Sequence, residues 1–189
     1  QATTKAELMA IEGNAARRYF SLFDQMIFHQ KDHFFFKDRN RRPPTDPMNA
    51  VLSFLYVLLA NETASALESV GLDAYVGFYH TDRPGRKSLA LDIMEELRPV
   101  LCDRLALTLV NRKQITGQGF TIKETGGVLM DDDTRKTVIV AWQEKKKEEF
   151  THPFMKERLP YGLLPHVQSL LLARHLRDDL EAYPPFLWS

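Results

Sequence analysis

The sequence predicts a mainly α-helical protein, a bundle of several helices with at most one small β-hairpin near residues 120–130. Three observations support this prediction. Apolar residues recur every three or four positions over long stretches, prolines and glycines separate these stretches, and β-favouring residues occur only in short pieces. With 189 residues and 44% hydrophobic content, the chain can bury a core without disulfides. We expect residues 1–189 to form a single domain.

The first predicted helix runs from about Thr4 to His29. Its apolar positions form two adjacent stripes, one made of Leu8, Ile11, Ala15, Tyr19, Leu22 and Met26 and the other of Ala16, Phe20, Phe23 and Ile27. Two stripes give the helix a wide apolar face. We therefore expect this helix to pack on more than one side.

The second predicted helix starts at Pro47, after a polar and basic loop over residues 31–44. Thr45 or Asp46 is placed to cap it, and Gly71 marks its C-terminal end. Its first four turns carry no charged residue, which predicts the central helix of the core.

A turn-rich stretch over residues 77–87 precedes the third predicted helix, which covers residues 88–112. Ser88 is the predicted N-cap of this helix. Pro99 lies inside it and is predicted to kink it, because proline removes one backbone hydrogen bond.

The last third of the chain predicts one hairpin and two more helices. Short β-favouring pieces flank two glycines within residues 120–130. Helices are predicted over residues 131–150 and over residues 163–183, where two prolines end the pattern.

Three acids and a histidine are candidate site residues: Glu12, His80, Asp92 and Glu95. Glu12 heads an apolar stripe, where an unpaired carboxylate is costly. Asp92 and Glu95 are three residues apart on one helix face, where they repel each other unless a cation lies nearby. Together with the imidazole of His80, these carboxylates form a candidate donor set for Mn²⁺ or Mg²⁺.

The same residues also have structural interpretations. Asp92 and Glu95 are placed to interact with the start of the helix or with solvent. His80 lies in a turn, where a histidine is often exposed or bonded to backbone. Glu12 also suits an ion pair with Arg17 or with the arginines of the following loop. Spacing alone leaves both interpretations open.

Basic residues cluster in two loops although the net charge is zero, with 25 basic and 25 acidic residues. Any binding of nucleic acid must therefore come from local patches. The first patch contains Arg41 and Arg42, and the second contains Arg83 and Arg86. We predict that these loops contact DNA phosphates.

Two further clusters have simpler interpretations. The lysines at 145–147 are predicted to form a solvated helix face. The three phenylalanines at 34–36 suit either the stacking of DNA bases or the burial of their loop against the core, and we favour burial.

The composition excludes several classes of protein. Cys102 is the only cysteine, which excludes a disulfide framework and a paired-cysteine zinc site. No apolar run approaches the roughly 18–20 residues that span a bilayer, and the N-terminus lacks the pattern of a signal peptide. We expect a cytoplasmic protein with no membrane partner. The chain has no initial Met, and we expect it to be a piece of a longer protein.

An ordered series of motifs extends through the chain. In chain order they are Glu12–Arg17 with Tyr19–Phe20, Arg41–Pro47 with Asn49, Gly77–His80, Arg83–Gly85, Ser88–Asp92, Glu95 and Arg98–Pro99. Their order and spacing resemble the C-terminal domain of the Cas1 family of CRISPR-associated integrases and endonucleases. The resemblance is closest to the type I-C form and covers essentially the whole chain.

The resemblance implies a helical bundle that holds one Mn²⁺ or Mg²⁺ ion. By motif, the implied metal ligands are Glu12, His80 and Glu95, with Asp92 as an assisting acid of the catalytic group. Many members have aspartate at the position of Glu95, which leaves its reach and denticity open. The implied contacts to the DNA backbone are Arg41, Arg42, Arg83 and Arg86.

The implied reaction is phosphodiester transesterification during the acquisition of CRISPR spacers, and its reverse cleaves branched DNA. The implied partners are double-stranded and branched DNA, the CRISPR-associated protein Cas2, and a second copy in the full-length homodimer. Nothing in the chain resembles the family's N-terminal β-rich domain, which builds that dimer. The alternative hypothesis is a noncatalytic helical module that binds nucleic acid or protein and is inactive as an isolated fragment.

Overall fold

The computed structural model describes residues 4–188 and confirms a mainly α-helical fold. The α-helices are α1 (Lys5–Phe23), α2 (Pro47–Ser69), α3 (Ser88–Arg98), α4 (Arg104–Asn111), α5 (Asp132–Lys147) and α6 (Leu164–Leu176). Four short strands are β1 (Phe120–Ile122), β2 (Val128–Met130), β3 (Glu149–Thr151) and β4 (Arg158–Pro160). Short 3₁₀ turns cover Asp24–Met26, Gly117–Gly119 and Tyr161–Leu163, and a π-helical turn covers Pro99–Asp103.

The chain divides into two compact units. The first comprises the residues up to Ser53 together with Ala106–Ile139, and the second comprises Phe54–Leu105 together with the residues from Val140 onward.

In the first unit, α1 is less buried than its apolar pattern predicted. Thr4 and Glu7 form a capping box at its start. Phe23 and Ile27, from the second stripe, are fully buried, whereas Leu8 and Leu22 of the first stripe are about half exposed. The expectation that both stripes pack is therefore wrong for the first stripe. Periodicity identifies an apolar face, but it does not reveal what covers that face.

The end of α1 also differs from the prediction. The helix stops at Phe23 rather than near His29. The side chain of Asn111 accepts a hydrogen bond from the backbone N–H of Phe28 at 2.7 Å and donates one to the carbonyl of Met26 at 2.8 Å. These tertiary bonds satisfy backbone groups that a longer helix would use.

The start of α2 and the hairpin of the first unit confirm the sequence prediction. The carboxylate of Asp46 caps α2 by accepting the backbone N–H of Asn49 at 2.8 Å. Strands β1 and β2 pair antiparallel, and Gly126 adopts a φ of +78° in the turn between them.

Helix α2 has a longer apolar stretch than the sequence analysis expected. Among the described helices it alone is long and apolar enough to cross a membrane, with a mean hydropathy of 1.5 over 18 residues. Because 56% of that window is buried within the protein, the helix also has the properties of a core helix, and its composition is weak evidence for a membrane.

In the second unit, the prediction that Ser88 caps α3 is wrong. The N-cap is Lys87, and Ser88 is a buried first residue whose hydroxyl donates to the carbonyl of Thr81 at 3.3 Å. The carbonyl of Ala74 accepts the N–H of Leu89 at 3.0 Å, which replaces a side-chain cap. The helix predicted over residues 88–112 is interrupted at Pro99, where a kink was predicted, by a π-helical turn that separates α3 from α4.

The second unit also contains a strand pair that the sequence analysis missed. Strands β3 and β4 pair antiparallel with Phe150 opposite Leu159, in addition to the one hairpin that was predicted. Each strand has only three residues, which is too short to establish an alternating pattern. Helix α6 ends at Leu176, earlier than predicted, and Asp178 adopts a φ of +61°.

Candidate functional site

The loop before α3 wraps around the carboxylate of Asp92. The backbone N–H groups of Phe78 and Tyr79 donate to Asp92 Oδ2 at 2.7 and 2.9 Å. The backbone N–H of His80 donates to Oδ1 at 2.8 Å, and the ring Nδ1 of His80 lies 2.6 Å from the same oxygen. Four groups of one short loop therefore converge on one carboxylate whose side chain is 10% exposed.

Gly77 allows this close approach of loop and helix. A Cβ atom at this position would lie 2.7 Å from the Cβ of Ser88 and 3.0 Å from Asp92 Oδ2. Any side chain would therefore push the loop away from α3. This contact gives a physical reason for glycine in the Gly77–His80 motif.

The hydrogen bonds stabilise the charged form of Asp92. Burial raises the pKa of this carboxyl, but the His80 ring and the N–H groups of Tyr79, His80 and Phe78 lower it, and the net pKa lies below the usual value. A carboxylate with these donors is a hydrogen-bond acceptor throughout the neutral range. Asp92 thus anchors the loop. It is not simply an exposed residue at the start of α3.

The contact with Asp92 also fixes the chemistry of His80. An ionised carboxylate only accepts hydrogen bonds, so the ring Nδ1 must carry the proton. In the neutral imidazole, Nε2 then carries the lone pair that binds a metal. This Nε2 lies 4.0 Å from Oε1 of Glu95. His80, Asp92 and Glu95 are therefore brought together in the second unit, whereas spacing alone placed only Asp92 and Glu95 on one helix face.

Glu95 has a second partner that the sequence analysis did not assign. Its Oε2 forms an ion pair with Arg98, one helical turn away on α3. The guanidinium of Arg98 lies 5.1 Å from the ring centroid of Tyr56, and the hydroxyl of Tyr56 donates to Asp103 at 2.6 Å. Arg98 therefore holds one oxygen of Glu95 and leaves Oε1 facing His80. The i, i+3 spacing was the signal that could have identified this pair.

Glu12, the third predicted ligand, lies on α1 in the first unit, where it is exposed. Its role as a ligand stays a prediction. The predicted alternative partner Arg17 donates a hydrogen bond to Asn14 at 3.4 Å. Across residues 4–188, no group of three or more His, Cys, Asp or Glu side chains has the arrangement of a metal site.

The two donors of the second unit nevertheless fit a divalent ion of the predicted kind. An imidazole nitrogen and a carboxylate oxygen are ligands that suit Mn²⁺, and Mg²⁺ commonly takes one or two carboxylates together with water. The Asp92–His80 contact matches the arrangement in which a carboxylate orients a metal-binding imidazole. His80 and Glu95 can therefore supply two ligands, and further ligands must come from elsewhere.

We expect Asp92→Asn to weaken Mn²⁺ binding about 10- to 100-fold, the usual cost of losing a group that orients a ligand. An amide offers one acceptor oxygen instead of two, so either the His80 ring or the backbone of Phe78 and Tyr79 loses its acceptor. The free Mn²⁺ signal in electron paramagnetic resonance measures this affinity. Asp179→Asn, at an exposed ion pair in the same unit, is the control. Equal Mn²⁺ affinity in both variants would contradict the orienting role.

The first basic loop is held by a buried asparagine. Asn49 is fully buried, and its Oδ1 accepts hydrogen bonds from Arg39 at 2.7 Å and from the N–H of Asn40 at 3.2 Å. Its amide Nδ2 donates to Asp46 at 2.7 Å and to the carbonyl of Asp38 at 2.9 Å. The loop is therefore anchored on both sides of its tip. Its tip carries Arg41 and Arg42, which are exposed.

The second basic loop lies between His80 and α3. Arg83 is exposed and Arg86 is partly exposed, in a turn where Gly85 adopts a φ of +74°. The loop follows the His80 segment directly in the chain. Of the four predicted DNA contacts, Arg83 and Arg86 are thus near the candidate metal ligands in the sequence and belong to the same unit.

The structure tests the interpretations of the two remaining clusters, the phenylalanines at 34–36 and the lysines at 145–147. Phe34 and Phe36 are buried, and Phe36 stacks on Phe20 at 5.4 Å, which confirms the burial interpretation for both; Phe35 is 41% exposed. The lysines at 145–147 each form an ion pair with a glutamate, and Lys146 contacts Glu62 at 2.7 Å. These lysines are therefore not a purely solvated face.

Comparison with known proteins identifies the family. The model of the family described as CRISPR associated protein Cas1 matches residues 1–144. The chain belongs to the Cas1 family. It is 58% identical over 181 residues to the CRISPR-associated endonuclease Cas1 2 of Rhodospirillum rubrum, a match that covers 96% of this chain and 53% of that protein. It is 50% identical over 177 residues to the CRISPR-associated endonuclease Cas1 of Leptospira interrogans, covering 94% of this chain and 69% of that protein.

Solved structures share the Cas1 fold with this chain. A partial Cas6-RT-Cas1–Cas2 complex matches with a TM-score of 0.81 at 27% identity, over 100% of this chain and 55% of that chain. A casposase bound to its integration product matches with a TM-score of 0.86 at 22% identity, over 100% of this chain and 53% of that chain, and that identity supports similarity of fold alone. The Cas1 chain thus spans about half the length of the Rhodospirillum relative. The type I-C subtype stays a prediction.

Proposed function

We propose that this chain is the helical catalytic part of a Cas1 integrase, which joins DNA ends in a reaction that depends on Mg²⁺ or Mn²⁺. The observation that carries the proposal is the contact of the His80 ring with Asp92, which leaves Nε2 facing the carboxylate of Glu95 at 4.0 Å. In a chain 58% identical to a Cas1 endonuclease, this arrangement suits a metal-binding half-site.

The chain's residues would have distinct roles in the reaction. His80 and Glu95, with Glu12 as the proposed third ligand, would hold the metal ion, which would lower the pKa of an attacking hydroxyl and would stabilise the crowded phosphate. Asp92 keeps the proton on His80 Nδ1. Arg98 restrains one oxygen of Glu95.

The proposed chemistry is a direct transesterification. The 3′-oxygen of a foreign DNA fragment attacks a phosphodiester at a repeat boundary of the CRISPR array, and a new P–O bond forms. The P–O bond to the 3′-oxygen of the array strand breaks, and that oxygen leaves as a hydroxyl. No covalent bond to the protein is required. The reverse reaction would cleave branched DNA.

The proposed partners follow from the relatives and from the basic loops. A solved relative is part of a Cas1–Cas2 complex, which supports Cas2 as a partner. The exposed arginines of the two loops support binding of double-stranded and branched DNA through phosphates. We also propose a homodimer in the full-length protein, a cytoplasmic location and the type I-C form.

The decisive test of this proposal is an experimental structure of the protein soaked with Mn²⁺. We expect one ion bound by His80 Nε2, Glu95 and Glu12, with metal–ligand distances near 2.1–2.2 Å, close to those of similar divalent ions. An ion bound to His80 and Glu95 without Glu12 would remove Glu12 from the ligand set. The absence of any ion at His80 under saturating Mn²⁺ would refute the proposed site.

The alternative function is a noncatalytic helical module that binds nucleic acid or protein. One observation favours it: the apolar residues Leu8, Ile11 and Leu22 of α1 are about half exposed, as at an interaction surface. DNA or protein binding that persists unchanged without metal, together with no metal-dependent cleavage, would support this alternative.

We expect Arg41→Ala to weaken DNA binding to a similar extent for all sequences and to reduce the salt dependence of binding by about one released ion. Arg41 is exposed at the tip of the loop that Asn49 anchors, so the variant should leave the fold intact. Fluorescence anisotropy at several salt concentrations measures both effects, with Lys136→Ala, at an exposed residue of α5, as the control. A loss confined to one DNA sequence would contradict a backbone contact.

A further inference from the structure

A buried carboxylate on α3 takes no part in the proposed chemistry. Glu96 directly follows the proposed ligand Glu95, and it accepts hydrogen bonds from the hydroxyl of Tyr183 and from the backbone N–H of Phe186. The amide of Gln168, on α6, is a third and longer donor at 3.4 Å. A segment nearly 90 residues away in the chain is therefore attached to the helix that carries the candidate site.

Gln168 connects this carboxylate to a second buried side chain. It is fully buried, and its Nε2 also donates to the Tyr183 oxygen at 2.7 Å. Its Oε1 lies 3.0 Å from Nε2 of His152, whose Nδ1 accepts the N–H of Met155 at 3.2 Å. Because Nδ1 of His152 is an acceptor, Nε2 carries the proton and donates to Gln168, which fixes the orientation of the amide.

The segment 183–188 is also packed by its aromatic residues. Phe186 is 3% exposed and lies 5.7 Å from the ring of Phe150. The ring of Trp188 lies 5.6 Å from the guanidinium of Arg104. The segment is thus held at several points, and Glu96 is its attachment to α3.

Helix α3 is therefore tethered at two carboxylates on either side of Glu95 in the sequence. Asp92 binds the 77–80 loop, and Glu96 binds the 183–188 segment. Positions 92 and 96 lie within about 40° of each other around the helix, so both tethers resist rotation about its axis. A rotation of about 10° would move the carboxylate of Glu95 by roughly 1 Å, enough to disturb a ligand geometry.

We propose that the segment 183–188 is a strap that fixes the rotation of α3 through Glu96 and thereby positions Glu95 beside His80. Glu96 and Tyr183 are positioning residues for the metal site. This inference rests on the proposed function, since it concerns the same ligands. It predicts that loosening the segment at Glu96 also loosens the 77–80 loop, because that loop binds Asp92 on the same helix.

The test compares Tyr183→Phe, which removes only the hydroxyl that Glu96 binds, with Tyr75→Phe, which changes a partly exposed tyrosine of the same unit. We expect Tyr183→Phe to weaken Mn²⁺ binding about 10-fold, as for loss of other orienting groups. Excess Mn²⁺ should restore branched-DNA cleavage. Without metal, hydrogen exchange should accelerate at the amides of Phe78, Tyr79 and His80. Tyr75→Phe should change none of these.

A purely structural role of the segment would give a different result. Tyr183→Phe would then lower the melting temperature and expose residues 183–188, with wild-type Mn²⁺ affinity and wild-type exchange at the 77–80 loop, and the strap proposal would be wrong. If Tyr183→Phe does not fold, the same measurements on Glu96→Gln distinguish the positioning role from the purely structural role. If the unaltered protein binds no Mn²⁺, the proposed function fails and the strap proposal fails with it. Mn²⁺ binding that is unaffected by both variants rejects the strap alone.

Discussion

His80→Ala is expected to abolish measurable Mn²⁺-dependent cleavage of branched DNA, with a loss of about 10³-fold or more in rate, comparable to the loss of other groups that stabilise a transition state. The variant removes the imidazole ring whose Nε2 is a proposed metal ligand. It should not unfold the loop, because Asp92 retains the backbone N–H groups of Phe78, Tyr79 and the altered residue as donors. Rates under saturating DNA and a series of Mn²⁺ concentrations measure the effect.

The control for this variant is His166→Ala, which removes an exposed histidine of the same unit that contacts Ser69 at 3.1 Å. We expect near-normal cleavage from it. If His80→Ala retained normal Mn²⁺ affinity and normal cleavage, the candidate metal centre would be in the wrong place.

Glu12→Ala is expected to weaken Mn²⁺ binding and to reduce cleavage as much as His80→Ala does. The family resemblance makes Glu12 the third ligand, and removal of a ligand charge weakens the hold on a hard cation. Because Glu12 is exposed on α1, its substitution should change the free energy of unfolding by no more than about 1 kcal/mol, which is roughly the most that an exposed charged interaction contributes. Loss of activity would then report on the site and not on the fold.

A conservative variant and a matched control make this prediction sharper. Glu12→Gln keeps the size and removes the charge, so it should be nearly as inactive as the alanine variant. Glu124→Ala changes an exposed acid of the same unit and should leave Mn²⁺ binding unchanged. Normal activity in both Glu12 variants would leave His80 and Glu95 as ligands and would exclude Glu12 from the chemistry.

Local rules predicted those features whose causes are local. Proline at the first position of α2, the Asp46 cap and Gly71 with a φ of +83° determine the ends of that helix. Pro99 predicted a kink because a proline ring removes a backbone hydrogen bond whatever surrounds it. The spacing of Asp92 and Glu95 likewise placed two acids near each other before any fold was known.

Features that depend on distant partners were beyond the sequence pattern. Ser88 has the side chain of an N-cap, but the carbonyl of Ala74 takes the helix N–H groups instead. The loop role of Asp92 required knowledge that Gly77 approaches α3 within contact distance. The attachment of Glu96 joins residues far apart in the chain. No periodicity indicates such contacts, because they arise from the tertiary path.

The π-helical turn Pro99–Asp103 also sets which side of α4 is turned inward. A π turn holds about one more residue than an α turn, so the residues after it are offset by roughly 100° from an uninterrupted helix. The buried residues of α4, such as Leu105 and Leu109, therefore lie about 100° from the direction that an uninterrupted helix would give them. If the five residues adopted a regular α-helical turn, the residues after them would rotate by this angle and the buried side chains of α4 would turn toward water. Deletion of one residue from the turn would instead remove the extra residue and leave the direction of these side chains unchanged. The π conformation of this short segment thus sets the direction of the α4 side chains.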